Sequence, residues 1–270
     1  MNTPLKVLIT GASEGIGLEV ARRYAAIGAE LLLVARRPEI LAHVARDLGG
    51  AIETAALDLS DSIALEVFLN RLDARGYTPD LLVNNAGQGL SGDFLDTPWN
   101  RLESMLTLNM RAVARLAHWA GGKMRTAGRG AIVNLSAAVA TRPVPHFAAY
   151  AAGKAFVSNL SIALDYELRG SKVRVCAIHL PAVRTRFADA SRADLRSTWV
   201  LKLFPSISAE TVANAVIKAA KHGHGSLIVG PVAALVMGTA PIMPRVLDLP
   251  FMSLLFKGRH SIGAPRSITD

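Results

Sequence analysis

Tyr150 and Lys154 stand four positions apart in the run Tyr-Ala-Ala-Gly-Lys, and Ser136 lies fourteen positions before the tyrosine. A helix over this run places the phenol and the amine on one face, where both can reach one substrate. An unperturbed tyrosine has a pKa of about 10, and a neighbouring ammonium favours phenolate and moves that pKa toward neutral pH. The pair is therefore a candidate device for proton transfer. The same spacing also arises in ordinary helices, in which the tyrosine packs and the lysine is solvated.

Length and composition limit the classes of protein to which the chain can belong. A chain of 270 residues can bury a full core, and 51% hydrophobic against 19% charged residues indicates a folded protein. The single cysteine, Cys176, excludes an internal disulfide framework and favours a reducing compartment. The apolar run at residues 5–9 is too short for the core of a signal peptide, so a cytoplasmic location is expected.

The net charge of +9 raises the question of a nucleic-acid partner. The basic residues are scattered and do not alternate with aromatic residues in one stripe, so no nucleic-acid partner is expected. Attraction to an anionic cofactor, an acidic carrier protein or lipid headgroups fits this distribution better.

Apolar runs with strand character alternate along the chain with segments of helical period. The alternation predicts a doubly wound α/β fold of the Rossmann type, with a mostly parallel seven-stranded sheet and helices on both faces. No linker or repeat divides the chain, so residues 1–270 are expected to form one domain. Strands are predicted near residues 5–9, 31–35, 51–57, 80–83, 131–136, 172–179 and 226–229. Helices are predicted near residues 15–28, 38–48, 61–75, 100–126, 149–169 and 208–222.

The turn between the first predicted strand and helix reads Thr10-Gly-Ala-Ser-Glu-Gly-Ile-Gly17. Glycine permits a tight turn and a close approach of backbone to phosphate, and the following helix presents N–H groups to an anion. The turn is therefore a candidate site for the pyrophosphate of a dinucleotide. An ordinary tight turn is the alternative interpretation if the glycines are taken alone.

From about Lys6 to Thr185 the chain resembles the classical short-chain dehydrogenase/reductases. The resemblance rests on the glycine spacing T-G-x-x-x-G-x-G and on further motifs in the order and at the distances usual for that family. These motifs are Asp58-Leu59, Asn84-Asn-Ala-Gly87, Asn109, Ser136, and Tyr150 with Lys154. The resemblance implies an oxidoreductase that interconverts a carbonyl and an alcohol with a nicotinamide cofactor.

The resemblance assigns a catalytic role to each of four polar residues. Tyr150 would protonate the carbonyl oxygen as hydride reaches the carbon, and Lys154 would lower the phenol pKa and hydrogen-bond the nicotinamide ribose. Ser136 would donate a hydrogen bond to the substrate oxygen, and Asn109 would hold a water that links Lys154 to solvent.

Cofactor choice depends on the end of the second strand. Arg36 and Arg37 stand there without a carboxylate, which favours the 2′-phosphate of NADP(H) over the ribose hydroxyls of NAD. Glu14 departs from NADP-preferring relatives, which carry a basic residue at its position, and suits the site only if it points away and Ser13 supplies the hydrogen bond. No metal is expected. The predicted cofactor contacts are Gly11, Ser13, Gly15, Ile16, Gly17, Arg36, Arg37, Asp58, Leu59, Asn85, Ala86, Gly87, Tyr150, Lys154, Pro181, Val183 and Thr185.

The substrate is expected to be a hydrophobic ketone of the lipid, steroid or acyl type. Residues 185–205 mix apolar and basic side chains and are predicted to form a lid, with an amphipathic surface helix as the alternative. The apolar extension at residues 231–270 is interrupted by prolines. It is expected to form short helices at the pocket rim, at a subunit interface or on a membrane surface. A homodimer or homotetramer is expected.

Other interpretations stay open at this level. The chain could bind a dinucleotide with little turnover, or could be a membrane-peripheral binding protein in which the dinucleotide only stabilises the fold. The sugar-nucleotide epimerases and dehydratases share Y-x-x-x-K, but their glycine turn is usually G-x-x-G-x-x-G and their chains are longer. His146 and His179 flank the predicted site, and neither is assigned a catalytic role.

Overall fold

The computed structural model describes residues 4–183 and 206–256. Within these ranges seven parallel strands form one sheet in the order β3-β2-β1-β4-β5-β6-β7. Each strand begins and ends within about one residue of its predicted bounds, so the predicted α/β sheet is confirmed. The strands are β1 Lys6–Thr10, β2 Glu30–Ala35, β3 Ile52–Ala56, β4 Leu81–Asn84, β5 Gly130–Ala137, β6 Val173–Leu180 and β7 Gly225–Ile228.

The helices of the described ranges follow the predicted order, with two differences. The predicted helix 15–28 ends at Ala25, because Gly28 adopts a left-handed φ of 75° that stops the helix. The predicted helix 100–126 is interrupted by a π-helical segment, Thr107–Ala112. The α-helices are α1 Gly15–Ala25, α2 Pro38–Leu48, α3 Ser62–Ala74, α4 Trp99–Leu106, α5 Val113–Ala127, α6 Ala148–Glu167, α7 Ala209–His222, α8 Pro231–Thr239 and α9 Arg245–Phe256.

Two apolar layers cover the sheet, one on each face. Along β1, Val7 and Ile9 belong to one layer and Leu8 to the other, because successive side chains of a strand point to opposite faces. In β5, Ile132 and Val133 divide in the same way. Burial on both faces explains why these strands read as continuous apolar runs rather than as alternating ones.

The topology brings the polar motifs to one edge of the sheet. All strands run parallel, so their carboxyl ends meet at that edge. The chain leaves β1 toward β2 and leaves β4 toward β5, and this reversal opens a crevice between β1 and β4. The glycine turn follows β1, the asparagines lie at the end of β4, Ser136 is the penultimate residue of β5, and Pro181 follows β6.

The predicted short helices of the C-terminal extension are present as α8 and α9. Pro231 opens α8, where the missing N–H costs nothing, and Pro250 lies inside α9. Among the described residues, no helix combines the length and the apolar character needed to cross a membrane.

Candidate active site

Tyr150 and Lys154 lie on the first two turns of α6, and both are 7% exposed. The Lys154 Nζ atom lies 5.7 Å from the centroid of the Tyr150 ring and donates a hydrogen bond to the Leu135 carbonyl oxygen at 2.8 Å. The Ser136 hydroxyl donates to the carbonyl oxygen of Lys154 at 3.0 Å. The end of β5 and the start of α6 therefore bring phenol, amine and hydroxyl to one place.

Burial shifts the pKa values of both residues of the Tyr150–Lys154 pair. It raises the pKa of the Tyr150 phenol well above its ordinary value and lowers the pKa of Lys154 to about 8, because water no longer solvates the charged forms. Desolvation is the cause of the raised phenol pKa, and the expected lowering of this pKa by Lys154 stays a prediction. The phenol is held in its protonated form, which is the form that can donate a proton.

Asn109 lies in the π-helical segment and is buried. Its side chain accepts a hydrogen bond from the Gln88 backbone N–H at 2.9 Å and donates one to the Gln88 carbonyl oxygen at 2.8 Å. A Cβ atom on Gly87 would lie 3.3 Å from Asn109 Oδ1 and 3.7 Å from Lys154 Nζ. Asn109 therefore adjoins the amine, and it also anchors the loop after β4, a contact that the sequence did not indicate.

The glycine turn is shaped by its own conformation and by the loop after β4. Gly11 and Gly15 have φ values of 66° and 58°, which side chains rarely tolerate. A Cβ atom on Gly17 would lie 2.3 Å from the Gly11 carbonyl oxygen, so only glycine fits. The Asn85 amide donates to the carbonyl oxygens of Thr10 and Gly11 at 2.9 and 3.0 Å. The Asn85 amide therefore connects the glycine turn to the loop after β4 by hydrogen bonds.

The N-terminus of α1 fits an anion. Its N-cap residue, Glu14, makes no capping hydrogen bond through its side chain, and the first turn carries no acidic residue. The Glu14 carboxylate instead lies 3.1 Å from the Arg37 guanidinium, which also lies 3.5 Å from the Ser13 hydroxyl. The condition that Glu14 points away from the arginine predicted to bind the 2′-phosphate is therefore not met. The backbone itself fits the pyrophosphate of a dinucleotide.

The remaining predicted cofactor contacts lie around the same edge. Arg36 is exposed, and Leu59 is buried in the core. Asp58 is exposed and accepts hydrogen bonds from the backbone N–H and the hydroxyl of Ser60 at 2.9 and 2.7 Å, which forms a local turn. The predicted contact of Asp58 with the cofactor stays a prediction.

The segment after β6 is only partly described. Val183 forms an isolated parallel bridge with Ile207, whose N–H donates to the Ala182 carbonyl oxygen at 3.1 Å. Thr185 and the predicted lid at residues 185–205 lie outside the described residues. His179 is buried at the end of β6, and this burial lowers the pKa of its imidazole.

A family model for short chain dehydrogenases matches residues 5–196. The chain belongs to this family. The predicted membership of the short-chain dehydrogenase/reductases is confirmed.

Two relatives of this short-chain dehydrogenase cover most of the chain. It is 30% identical over 260 residues to the probable oxidoreductase EphD of Mycobacterium bovis, which aligns with 89% of this chain and 43% of the relative. The chain therefore spans less than half of the length of that relative. It is 31% identical over 249 residues to the fatty acyl-CoA reductase of Acinetobacter baylyi, over 89% of this chain and 81% of the relative.

Two solved structures share the fold. A short-chain dehydrogenase from Sphingobium yanoikuyae in complex with NADPH has a TM-score of 0.76 and 31% identity, over 97% of this chain and 99% of that chain. The 3-ketoacyl-(acyl-carrier-protein) reductase from Brucella melitensis complexed with NADH has a TM-score of 0.73 and 26% identity, over 83% and 96%. Both likenesses confirm the Rossmann-type fold.

Sequence analysis missed the apolar surroundings of the tyrosine in this short-chain dehydrogenase. The Tyr150 ring lies 4.4 Å from the Phe147 ring, which stacks on Phe256 at 5.5 Å between centroids. Met252 and Leu255 of α9 complete the cluster. The spacing of Met252 and Leu255 predicts an apolar face on this helix, but nothing in the sequence shows which part of the fold that face covers.

Proposed function

We propose that this short-chain dehydrogenase is an NADP(H)-dependent reductase that converts the ketone of a hydrophobic substrate to a secondary alcohol. The observation that carries the proposal is the convergence of Tyr150, Lys154 and Ser136 at the end of β5, beside Asn109 and the glycine turn. These groups match the needs of concerted proton delivery at a carbonyl oxygen.

Each residue has a defined task in this proposal. A bound nicotinamide dinucleotide supplies the hydride. Tyr150, kept protonated by burial, donates its proton to the carbonyl oxygen. The Ser136 hydroxyl, which donates to the Lys154 carbonyl oxygen in the structure, would turn to donate a hydrogen bond to the same substrate oxygen. Lys154, whose Nζ atom lies 5.7 Å from the centroid of the Tyr150 ring, conducts the replacement proton from solvent together with Asn109.

The preference for NADP(H) rests on the arginines after β2. Arg36 is exposed, and the Arg37 guanidinium lies 3.5 Å from the Ser13 hydroxyl at the entrance to the glycine turn. A 2′-phosphate would bind these arginines by displacing the Glu14 carboxylate, which lies 3.1 Å from Arg37. Membership of the family does not decide the choice, because one solved relative is bound to NADPH and another to NADH. A lower KM for NADH than for NADPH would contradict this part of the proposal.

The hydrophobic character of the substrate rests on the apolar cluster against Tyr150. A carbonyl substituent that lies along the Tyr150 ring would contact these apolar side chains. The printed activity of one relative, a fatty acyl-CoA reductase, is consistent with an acyl-type substrate.

A tyrosine pair on α6 tests the central claim. Tyr150→Phe removes the acid and keeps the ring, and we expect turnover of ketones with NADPH to fall by about 10² to 10⁴ while NADPH still binds. Tyr166→Phe is the matched control, because Tyr166 lies on the same helix and is 67% exposed. Similar turnover in the two variants would exclude the proposed role of Tyr150.

A second proposal concerns peripheral contact with an anionic membrane surface. α8 and α9 expose Leu235, Val246, Leu247, Phe251 and Leu254, and Arg245 lies among them. The acidic residue of these two helices, Asp248, is buried in an ion pair and adds no repulsive charge to this face. Sedimentation with anionic but not zwitterionic vesicles is expected, and no sedimentation with either would contradict the proposal. The homo-oligomer and the cytoplasmic location stay predictions.

A further inference from the structure

We infer that His179 is a positioning residue for the catalytic end of α6, and that it acts through Ser158. The inference rests on the proposed function, because it concerns the moment at which the Ser136 hydroxyl leaves α6 for the substrate oxygen. At that moment a second contact must keep Tyr150 and Lys154 in place, and the contact between His179 and Ser158 is placed to do so.

The face of α6 that packs on the sheet carries buried polar side chains, where a helix of an α/β protein normally carries apolar ones. They are spaced four, three and four residues apart, so they follow one face of the helix. Each contacts a group of β5 or β6, and polar contacts restrict the position of a helix more than apolar packing does. The polar residues are Lys154, Ser158, Ser161 and Asp165, and their respective partners in the sheet are Leu135, His179, Asn134 and Val175.

Two contacts between the sheet and α6 stand side by side at the carboxyl edge. Ser136 of β5 and His179 of β6 are direct neighbours in the parallel register, and both reach α6 from the same face of the sheet. Ser136 donates to the Lys154 carbonyl oxygen at 3.0 Å. Ser158, one turn further along α6, lies with its hydroxyl 3.4 Å from Nε2 of His179. Two adjacent strands therefore hold two successive turns of the helix that carries the catalytic pair.

His179 has the burial and the hydrogen-bond directions that this task needs. It is 1% exposed, and its Nδ1 atom lies 3.5 Å from the carbonyl oxygen of Ala137, the residue that follows Ser136. Because a carbonyl oxygen can only accept, the proton of the neutral ring lies on Nδ1, and Nε2 accepts from the Ser158 hydroxyl. Burial lowers the pKa of the imidazole and keeps the ring in this neutral form. The ring therefore joins the end of β5 to α6.

The Ser136 hydroxyl cannot serve α6 and the substrate at the same time. A serine hydroxyl has one proton to donate, and in the structure Ser136 donates it to the Lys154 carbonyl oxygen. When the hydroxyl turns to the substrate oxygen, one of the two hydrogen bonds between β5 and Lys154 is lost. The contact between His179 and Ser158 uses neither Ser136 nor the substrate, so it persists during proton delivery. A displacement of about 1 Å at such a site can lower turnover about 10²-fold.

Two serines of α6 provide a matched comparison. Ser158→Ala removes the contact with His179. Ser161→Ala makes the same change further from the catalytic pair, at a serine that is 0% exposed and accepts a hydrogen bond from the Asn134 amide at 2.9 Å. Loss of either hydroxyl is expected to destabilise the fold, but only loss of the Ser158 hydroxyl is expected to disturb the position of Lys154.

The experiment follows NADPH oxidation with methyl octyl ketone and expresses kcat per NADPH-binding site. We expect Ser158→Ala to lower kcat about tenfold while the KM for NADPH and for the ketone changes less than about twofold. Ser161→Ala is expected to keep the wild-type kcat, although urea unfolds it at a lower concentration than the wild type. Equal kcat values in the two variants would overturn the inference.

Two replacements of His179 distinguish its two contacts. The side-chain amide of glutamine extends about as far as Nε2 and can bond Ser158, whereas that of asparagine extends about as far as Nδ1 and can bond only the Ala137 carbonyl oxygen. We expect His179→Gln to keep kcat within about threefold of the wild type and His179→Asn to lose about tenfold. An equal loss in both variants would show that the bond to Ser158 does not position α6.

Hydrogen exchange measures the position of α6 without turnover. In the NADPH complex we expect the amides of residues 150–158 to exchange faster in His179→Asn than in the wild type, and to change less in Ser161→Ala. Wild-type exchange over these residues in His179→Asn would overturn the inference. A wild-type protein that binds NADPH but reduces no ketone would instead contradict the proposed function, and the exchange result would still decide the role of His179.

Discussion

Asn109 and Gln88 are joined by two reciprocal hydrogen bonds, with the Asn109 amide acting as acceptor at 2.9 Å and as donor at 2.8 Å. Asn109 lies in a π-helical segment, and such segments are rare in proteins and frequently occur at functional sites. The extra residue per turn changes which side chains of the long helix face the loop after β4. The pair links that segment to the loop that carries Gly87 beside Lys154.

Removal of the Asn109 amide is expected to destabilise the fold. Asn109→Ala leaves the N–H and carbonyl groups of Gln88 without these bonds, so the free energy of unfolding should fall by about 1 to 3 kcal/mol. Asn100→Ala is the control, because Asn100 is exposed on α4. Urea denaturation measures the free energy of unfolding of both variants. Equal losses would show that the hydrogen bonds between Asn109 and Gln88 do not stabilise the fold.

The burial of Lys154 predicts a pH dependence of stability. The pKa of the folded lysine is lowered to about 8, whereas an unfolded lysine titrates near about 10.4. Between these values the unfolded chain binds a proton that the folded chain has released. The free energy of unfolding therefore rises with pH in this window, and below about pH 8 the cost of burying the charge is fully present.

Lys154→Met removes this titration and serves as the reference. Without added dinucleotide, the stability of the wild type relative to Lys154→Met is expected to rise by on the order of 1 kcal/mol per pH unit between about pH 8 and 9.5. Tyr150 is present in both proteins, so the titration of its phenol in the unfolded chain cancels in this difference. Urea denaturation at both pH values measures the difference, and a difference that is flat or falls would contradict the buried-amine interpretation.

The contact between Glu14 and Arg37 predicts a variant with improved use of NADPH. The carboxylate lies 3.1 Å from the guanidinium and places negative charge where the 2′-phosphate is proposed to bind. Glu14→Gln is expected to lower the KM for NADPH about twofold to fivefold, in keeping with the strength of exposed ion pairs, and to change the KM for NADH less. Glu39→Gln, an exposed change on α2, is the control. An unchanged KM for NADPH would show that Glu14 does not compete with the phosphate.

The buried ion pair between Arg142 and Asp248 predicts strong coupling between two residues far apart in the chain. Asp248→Ala leaves the guanidinium without its carboxylate and is expected to cost about 3 to 5 kcal/mol of stability. The double variant Arg142→Met with Asp248→Leu is expected to lose less, because no buried charge remains without its partner. Denaturation of Arg142→Met, of Asp248→Leu and of the double variant gives the coupling energy, and additive losses would contradict it.

The described strands could be predicted almost residue by residue, because an apolar run bounded by turn residues is a local signal. The grouping of Ser136, Tyr150 and Lys154 could also be predicted, since their spacing along one strand and one helix is a local signal as well. The π-helical segment at Asn109 could not be predicted, because it differs from an α-helix by one residue per turn and leaves the apolar pattern nearly unchanged. The contacts of α9 could not be predicted either, because they join positions about a hundred residues apart in the chain.

Sequence alone determined the parallel α/β fold and the kinds of chemical group at the site, because periodicity and motif spacing act over short stretches of chain. Only the tertiary structure decided the state of those groups. It buried Tyr150, so that desolvation raises the pKa of its phenol, placed the Glu14 carboxylate against Arg37, and packed α9 against Phe147. The physical reason is that desolvation and side-chain pairing depend on which atoms surround a group in space, and neighbours along the chain do not specify them.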